Sequence, residues 1–183
     1  LFRSPRAGQA GDQVTRAGSS GAAAPVIKGS GMHIGIIAAR FNDHIVVPLR
    51  DGAVRALGAA GVKANDITEV WVPGAFELPL AAKAMAHSRK FDAVVCLGAV
   101  IRGDTPHFDY VCNEAARGIQ QAQLDTGVPV MFGVLTVDTE QQALDRVEGR
   151  VMTNKGEEAA AGALEMVMVM RHLGVMRGNS WSH

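Results

Sequence analysis

Residues 93–110 read Ala-Val-Val-Cys-Leu-Gly-Ala-Val-Ile-Arg-Gly-Asp-Thr-Pro-His-Phe-Asp-Tyr, a strand pattern that passes through a turn into a helix pattern. The apolar run 93–97 predicts a buried strand. Proline suits the first helical position and Asp or Thr suits the N-cap, so we expect the turn at residues 103–106 to form a helix N-terminus. Backbone N–H groups and the helix dipole would make this turn an anion site, with His107 in the first helical turn beside it. An anion site next to a general acid or base indicates chemistry on a small phosphorylated substrate.

Three further strand patterns lie on either side of this unit, and each is followed by a helix pattern. They are rich in Val and Ile and bounded by Gly, Pro or Asp. They span Ile34–Ala39, Ile67–Val72 and 128–135. Apolar residues at three- and four-residue steps predict helices near residues 46–57, 78–85, 108–122 and 160–173. This alternation predicts a three-layer α/β/α sandwich of flavodoxin-like type, with a four-stranded parallel sheet that helices cover on both faces.

The composition excludes several classes of function. The 183 residues carry 18 basic and 18 acidic side chains, so charge gives no case for binding nucleic acid or a membrane surface. No apolar run reaches the roughly 18 residues that a membrane-spanning helix needs. Cys96 lies in a strand pattern and Cys112 in a helix pattern, which predicts reduced thiols rather than a disulfide.

The two ends of the chain differ from its centre. Residues 1–25 are rich in Gly, Ala, Ser and Arg and predict a disordered tail; residues 175–183 predict a second one, leaving a domain over 26–174. The acid-poor leader resembles a transit peptide, and a plain tail is the open alternative. We therefore expect a cytoplasmic protein, or a plastid-stroma protein if residues 1–25 are a transit-peptide remnant, and not a secreted one. Val26 and Ile27 predict one short extra edge strand.

Polar and aromatic residues follow each predicted strand, where open parallel sheets bind their ligands. The four groups are Ala39-Arg40-Phe41-Asn42-Asp43, Val72-Pro73-Gly74-Ala75-Phe76-Glu77-Leu78-Pro79, the anion turn with His107, and Phe132-Gly133-Val134-Leu135-Thr136. Because the carboxyl ends of parallel strands meet at one edge of a sheet, the four groups together predict a single ligand site.

Each of these residues also has a simpler explanation. Phe41 is either a core aromatic or a platform on which a ligand stacks, and its polar neighbours favour the platform. Glu77 is explained equally well as the start of a helix, where acidic residues are favoured. His107 fits a surface position in a first turn, and Arg146 and Lys155 fit solvated helix faces.

The sequence predicts neither a cofactor nor a metal site. The remaining histidines show no metal-ligand spacing. No Gly-x-Gly-x-x-Gly or Walker pattern follows a strand, so nothing supports a bound nucleotide.

Taken together, these groups resemble the lumazine synthase family. The matching blocks are Arg40-Phe41-Asn42-Asp43, Trp71 to Pro79, Gly98 to Tyr110, Cys112-Asn113-Glu114-Ala115-Ala116, Gly127-Val128-Pro129-Val130, Phe132 to Thr136 and Asn154-Lys155-Gly156. They occur in the family's order and span residues 26–174. The resemblance implies condensation of 5-amino-6-ribitylaminouracil with 3,4-dihydroxy-2-butanone 4-phosphate, in riboflavin biosynthesis, with no cofactor or metal.

The resemblance also implies a role for individual residues. Phe41, helped by Asn42, would stack on the pyrimidine, and His107 would be the general acid and base. The ribityl chain would be held by Ala75, Phe76 and Glu77, the pyrimidine by backbone groups of Val100 and Ile101, and the phosphate by Gly103, Asp104, Thr105 and Arg146. Phe132 and Lys155 would come from a neighbouring subunit. An imidazole, whose ordinary pKa is about 6.5, suits proton transfer near neutral pH.

Two features depart from the family pattern. Asp104 puts a carboxylate beside the phosphate, which is compatible with binding if that side chain turns away to cap the helix. The segment 146–155 is one residue longer than the common family spacing, so Arg150 is an alternative to Arg146 as the phosphate ligand.

The family's sites lie between adjacent subunits of a pentamer, so the resemblance implies a homo-oligomer. Pentamers either stay free or assemble into a sixty-subunit icosahedral shell, and the altered linker 149–153 favours the free pentamer. Riboflavin synthase is a further partner that the resemblance raises. Two other functions remain open: a non-catalytic lumazine- or flavin-binding module, which His107, Arg146 and the intact turn disfavour, and a flavodoxin-like electron carrier, which the balanced charge disfavours.

Overall fold

The computed structural model describes residues 26–147 and 153–176. The strands are β1 (Ile34–Ala39), β2 (Ile67–Val72), β3 (Ala93–Ile101) and β4 (Val130–Val137). The helices are α1 (Asp43–Ala59), α2 (Leu78–His87), α3 (His107–Thr126), α4 (Glu140–Leu144) and α5 (Lys155–His172), with short 3₁₀ turns at Ala64–Asp66 and Ala75–Glu77. The four strands form one parallel sheet in the order β2-β1-β3-β4. The predicted flavodoxin-like α/β/α sandwich is confirmed.

Successive residues of β1 point into opposite layers, because side chains alternate across a strand. Ile36 packs into the core beneath α1 and α5, whereas Ile37 packs into the core beneath α2 and α3. Both side chains are fully buried. The continuous apolar sequence of β1 is therefore explained by a sheet that has a helix layer on each face.

The edge strand β2 is an exception to this burial. Thr68, Glu69 and Val70 are exposed, and only Val72 of this strand is buried. β2 pairs with β1 alone, so its outer edge has no strand partner among the described residues. Helices lie on both faces of the sheet, and β2 is its least buried strand.

Helices α1 and α5 cross closely because two glycines line their contact. A side chain at Gly156 would collide with the carbonyl oxygen of Leu49, and one at Gly52 would collide with the amide of Asn154. Asn154 is the N-cap of α5, and its side-chain oxygen accepts hydrogen bonds from the backbone N–H groups of Gly156 and Glu157. The start of α5 is thereby fixed against the middle of α1.

Several predicted boundaries need correction. β3 continues four residues past the predicted end, and β4 begins and ends two residues later than predicted. Gly127 ends α3 in the left-handed conformation, and Val128 and Pro129 form the connection to β4. The short helix α4 was not predicted.

Val26 and Ile27 do not form the predicted edge strand. Ile27 instead packs partly buried against the core, and the N–H of Gly29 donates to the carbonyl of Ala60. The predicted tail at 1–25 and all but the first two residues of the predicted tail at 175–183 lie outside the described residues.

The remaining sequence expectations concern cysteines and membranes. Cys96 is buried in β3 and Cys112 is half-buried on α3, and both are free thiols. Within the part of the chain that the structure describes, none of the helices combines the length and the apolar character needed to span a bilayer.

Candidate functional site

A cleft of about 760 Å³ opens at the carboxyl ends of β1, β2 and β3. Nine residues that the sequence analysis singled out line it: Phe41, Ala75, Phe76, Glu77, Val100, Ile101, Gly103, Thr105 and His107. The structure therefore brings together three of the four predicted strand-end groups. The parallel topology explains this, because all strands end at the same edge of the sheet.

Phe41 presents its ring to the cleft and is 71% exposed. Its N–H donates to the carbonyl of Pro73, which fixes the backbone at the end of β1. The alternative of a core aromatic is thus wrong. An exposed ring held by its own backbone is suited to stacking on a planar ligand.

Asn42 has a structural task that the sequence did not reveal. It adopts the left-handed conformation at φ 59° and begins α1 without a side-chain cap. Its side-chain amide donates a hydrogen bond of 3.0 Å to the carbonyl of Ala99. Asn42 therefore joins the ends of β1 and β3 and orients Phe41, and it does not line the cleft itself.

Glu77 ends the short turn that carries the second group into the cleft. Its N–H donates to the carbonyl of Gly74 over 3.3 Å, and its carboxylate makes no capping hydrogen bond to α2. Helix capping therefore does not explain this carboxylate. Ala75 is buried, whereas the ring of Phe76 is 57% exposed at the cleft.

The anion turn differs from its prediction in one respect. α3 begins at His107, Pro106 takes the N-cap position, and no side chain caps the helix. The expectation that Asp104 or Thr105 caps α3 is wrong. Pro106 already has the helical φ of −62°, and its carbonyl accepts the first helix bond, from the N–H of Asp109.

The N–H groups of this turn are available to a ligand. Among the described residues, those of Gly103, Asp104 and Thr105 have no hydrogen-bond acceptor. The three residues are exposed, and they precede the positive end of the twenty-residue helix α3. Thr105 and Gly103 line the cleft, and Asp104 does not. Together with His107, these groups can bind an anion and exchange a proton with it or its neighbour.

A second cleft, of about 400 Å³, lies along β4 and contains three more of the predicted residues. Phe132, Arg146 and Lys155 line it, and none of its lining residues belongs to the first cleft. Within one chain, the structure does not bring these three side chains to His107. Arg150, the alternative to Arg146, lies outside the described residues.

The two cations of this second cleft have internal partners. Arg146 donates from Nη1 to the carbonyl of Gln142 over 2.7 Å, within its own helical turn. Lys155 lies 2.6 Å from Oε2 of Glu158, one turn further along α5. Both side chains remain at the cleft surface, where such exposed contacts are readily exchanged for a ligand.

Sequence reasoning missed two residues that organise these clefts. Arg102, at the end of β3, binds Asp109 and Asp138 and stacks on the ring of Phe108. Its hydrogen bond to Asp138 raises the pKa of Arg102. Asn154 is only 3% exposed, and its amide donates to the carbonyl of Val147. Beside it, the N–H of Lys155 donates to the carbonyl of Arg146, so this contact links the two cations of the second cleft. No periodicity or motif in the sequence signals either contact.

Across 26–147 and 153–176, no three His, Cys, Asp or Glu side chains are grouped as a metal ion would require. The first cleft presents an aromatic platform, a carboxylate acceptor, free backbone N–H groups and one imidazole.

Comparison with known proteins agrees with this arrangement. The family model described as 6,7-dimethyl-8-ribityllumazine synthase matches residues 31–171, which is more than half of the chain. The match begins just before β1 and ends within α5, so it includes every strand and both clefts. The chain therefore belongs to the 6,7-dimethyl-8-ribityllumazine synthase family, whose members are transferases of riboflavin biosynthesis.

Proposed function

We propose that this chain condenses 5-amino-6-ribitylaminouracil with 3,4-dihydroxy-2-butanone 4-phosphate to give 6,7-dimethyl-8-ribityllumazine, releasing phosphate and water. The observation that carries the proposal is the grouping of His107, three free backbone N–H groups and the exposed ring of Phe41 at one cleft. Residues 26–174 would form the catalytic domain.

Each part of the cleft has a task in this reaction. Phe41 would stack on the pyrimidine while backbone groups of Val100 and Ile101 bind its edge. Ala75, Phe76 and Glu77 would hold the ribityl chain, with the Glu77 carboxylate accepting hydrogen bonds from hydroxyls. The N–H groups of residues 103–105 would bind the phosphate, so that the carboxylate of Asp104 plays no direct part.

His107 would serve the proton transfers. The pyrimidine amine attacks the ketone, water leaves and an imine forms. Phosphate is then eliminated, and ring closure with loss of a second water gives the product. At each step a proton moves on or off nitrogen, carbon or oxygen, and an imidazole at the edge of the phosphate site can accept and return it.

The remaining ligand groups would come from a second copy of the chain. Phe132, Arg146 and Lys155 lie in a separate cleft, so one chain holds two incomplete halves of the proposed site. Arg146 suits a phosphate through its bidentate guanidinium. Large apolar side chains exposed on α2 and α3, such as Leu80, Tyr110 and Leu124, support burial against a neighbour.

We assign the assembly as a ring of five chains, with a mass of about 95 kDa from 19.3 kDa subunits. The longer linker favours free pentamers over a sixty-subunit shell. Light scattering distinguishes these states, since a megadalton particle contradicts the free pentamer. Riboflavin synthase, which would consume the product, is the proposed protein partner, and the cytoplasm or plastid stroma is the proposed location.

The activity is tested by turnover with both substrates. We expect lumazine absorbance to rise together with inorganic phosphate in a one-to-one ratio. The His107→Ala variant is the matched control, because it retains the rest of the cleft. Tight binding of lumazine without phosphate release would contradict the proposal and identify a binding module instead.

The shared site is tested by mixing two impaired variants, assayed with the phosphorylated substrate well below its KM for Arg146→Ala. His107→Ala damages one half-site and Arg146→Ala the other. When the two chains are co-assembled in equal amounts, about a quarter of the interfaces in a random ring combine two intact halves. We therefore expect recovery toward a quarter of wild-type activity. No recovery in verified mixed rings would contradict a site shared between chains.

A further inference from the structure

Arg102 joins three segments of the chain at the edge of the proposed phosphate site. Its backbone N–H donates to the carbonyl of Val137 over 2.9 Å, at the end of β4. Its Nε donates to Asp138 over 2.8 Å and its Nη1 to Asp109 over 3.2 Å. Its guanidinium lies 4.1 Å from the centre of the Phe108 ring, which is within the range of a cation–π contact.

These contacts surround the turn that would hold the phosphate. Arg102 directly precedes Gly103, and Asp109 lies in the first turn of α3, two residues after His107. Phe108, Gly103, Thr105 and His107 all line the cleft, whereas Arg102 does not. Arg102 therefore lies behind the turn, and its Nε and one Nη are already engaged by carboxylates.

The carboxylates that Arg102 binds would otherwise oppose an incoming phosphate. Asp109 and Asp138 are both more than half exposed, and each carries a negative charge near neutral pH. Like charges repel, and the repulsion acts on the anionic substrate but not on a neutral pyrimidine. A guanidinium bound to both carboxylates offsets one of these two negative charges and fixes both side chains.

We propose that Arg102 is a positioning residue, which offsets part of the negative charge of Asp109 and Asp138 and holds the 103–106 turn ready for phosphate. This inference rests on the proposed function. It differs from a purely structural role because the Arg102 side chain is 45% exposed, and ion pairs at such exposure contribute little to folding stability. The effect of Arg102 should therefore appear in anion binding rather than in unfolding.

The test compares Arg102→Gln with Arg117→Gln. Arg117 and its partner Glu114 both lie on α3. Arg117 is ten residues beyond His107, which places it about 15 Å further along the helix axis. In Arg102→Gln we expect the KM of the phosphorylated substrate and the inhibition constant of inorganic phosphate to rise about tenfold. In the same variant, the KM of the pyrimidine should stay within about twofold of its wild-type value. Arg117→Gln should leave both KM values and the inhibition constant unchanged.

Two further variants separate charge from geometry. Adding Asp138→Asn to Arg102→Gln removes one of the exposed charges, and most of the lost phosphate affinity should return. Arg102→Lys keeps the positive charge but lacks the planar guanidinium, so its phosphate affinity should lie between those of wild type and Arg102→Gln. If Arg102→Gln does not fold, the comparison of Arg102→Lys with the Arg102→Lys, Asp138→Asn double variant tests the same charge effect.

The outcomes distinguish this inference from the proposed function. The role of Arg102 would be overturned if Arg102→Gln raised the KM of both substrates equally. It would also be overturned if the Arg102→Gln, Asp138→Asn variant regained no phosphate affinity. Calorimetric binding of inorganic phosphate needs no turnover, so it reports on Arg102 even in a chain that fails to make lumazine. Loss of turnover in wild type with an intact Arg102 effect would overturn only the proposed reaction.

Discussion

Replacing Asn154 with Ala should destabilise this chain far more than removing an ordinary helix cap. Asn154 is only 3% exposed. Its side-chain oxygen accepts from the N–H of Gly156 at 2.8 Å and of Glu157 at 3.3 Å. Its side-chain nitrogen donates to the carbonyls of Pro48 at 3.0 Å and Val147 at 2.8 Å. One side chain thus joins α1, the residues after α4 and the start of α5.

The magnitude follows from these four contacts. Loss of an N-cap costs about 1 kcal/mol. Each of the two donated hydrogen bonds contributes about 0.5–1.5 kcal/mol, and carbonyl groups left without a partner in a buried site add to the loss. We therefore expect Asn154→Ala to lower the free energy of unfolding by about 2–4 kcal/mol.

Thr139 provides the matched control, because it caps the short helix α4 from an exposed position. Its hydroxyl accepts a single hydrogen bond, from the N–H of Gln142 at 3.3 Å. Thr139→Ala should lower the free energy of unfolding by no more than about 1 kcal/mol. Asn154→Ser should fall between the two, since a serine hydroxyl can cap α5 but cannot reach both Pro48 and Val147.

The assay is urea unfolding followed by circular dichroism at one fixed protein concentration, because assembly adds to apparent stability. The slope of free energy against urea must be the same for all variants for the comparison to hold. If Asn154→Ala and Thr139→Ala cost the same, the donated hydrogen bonds are not contributing and the reasoning from burial is refuted.

Three further predictions concern the chemistry of single residues. His107→Ala should lower kcat by about 10²- to 10⁴-fold with little change in substrate binding, and turnover at the wild-type rate would remove His107 from the mechanism. Arg146→Ala should raise the KM of the phosphorylated substrate about 10- to 150-fold. If Arg150→Ala shows this effect instead, the extra residue in segment 146–155 has moved the phosphate ligand from position 146 to position 150. Burial raises the pKa of the Cys96 thiol to about 12. In a Cys112→Ser variant, Cys96 should therefore resist iodoacetamide at pH 8 until urea unfolds the chain. Labelling of the native protein, detected by mass spectrometry, would contradict the burial of Cys96.

The periodicity of apolar residues predicted the fold because each βα unit shows an apolar strand run followed by apolar residues at helical spacing. It failed at the ends of elements, where a residue's neighbours in space decide its conformation. The predicted strand ended at Leu97, yet Gly98 lies within β3. A side chain there would approach Leu78 of α2 to 3.3 Å, so the glycine serves the contact between α2 and the sheet.

The candidate site was predictable where adjacent residues supply it and unpredictable where distant residues meet. Phe41, Glu77 and His107 each follow a strand, and the parallel topology brings them together. The contact of Arg102 with Asp138 spans 36 residues of sequence, and that of Asn154 with Pro48 spans 106. Such pairs leave no local pattern, and only the folded chain reveals them.

Charge supports the proposal that one site is divided between the two clefts. A phosphate monoester carries about −1.5 to −2 charges at neutral pH, whereas a helix N-terminus supplies only about half a positive charge. Of the residues that line the first cleft, His107 is the only one able to carry a positive charge, and Glu77 opposes it. Arg146 and Lys155, which would complete the neutralisation, lie on the second cleft. Within one chain the anion site is therefore short of positive charge, while the two cations lie on the other cleft beside Glu158. This separation supports the proposal that a second copy of the chain completes the site.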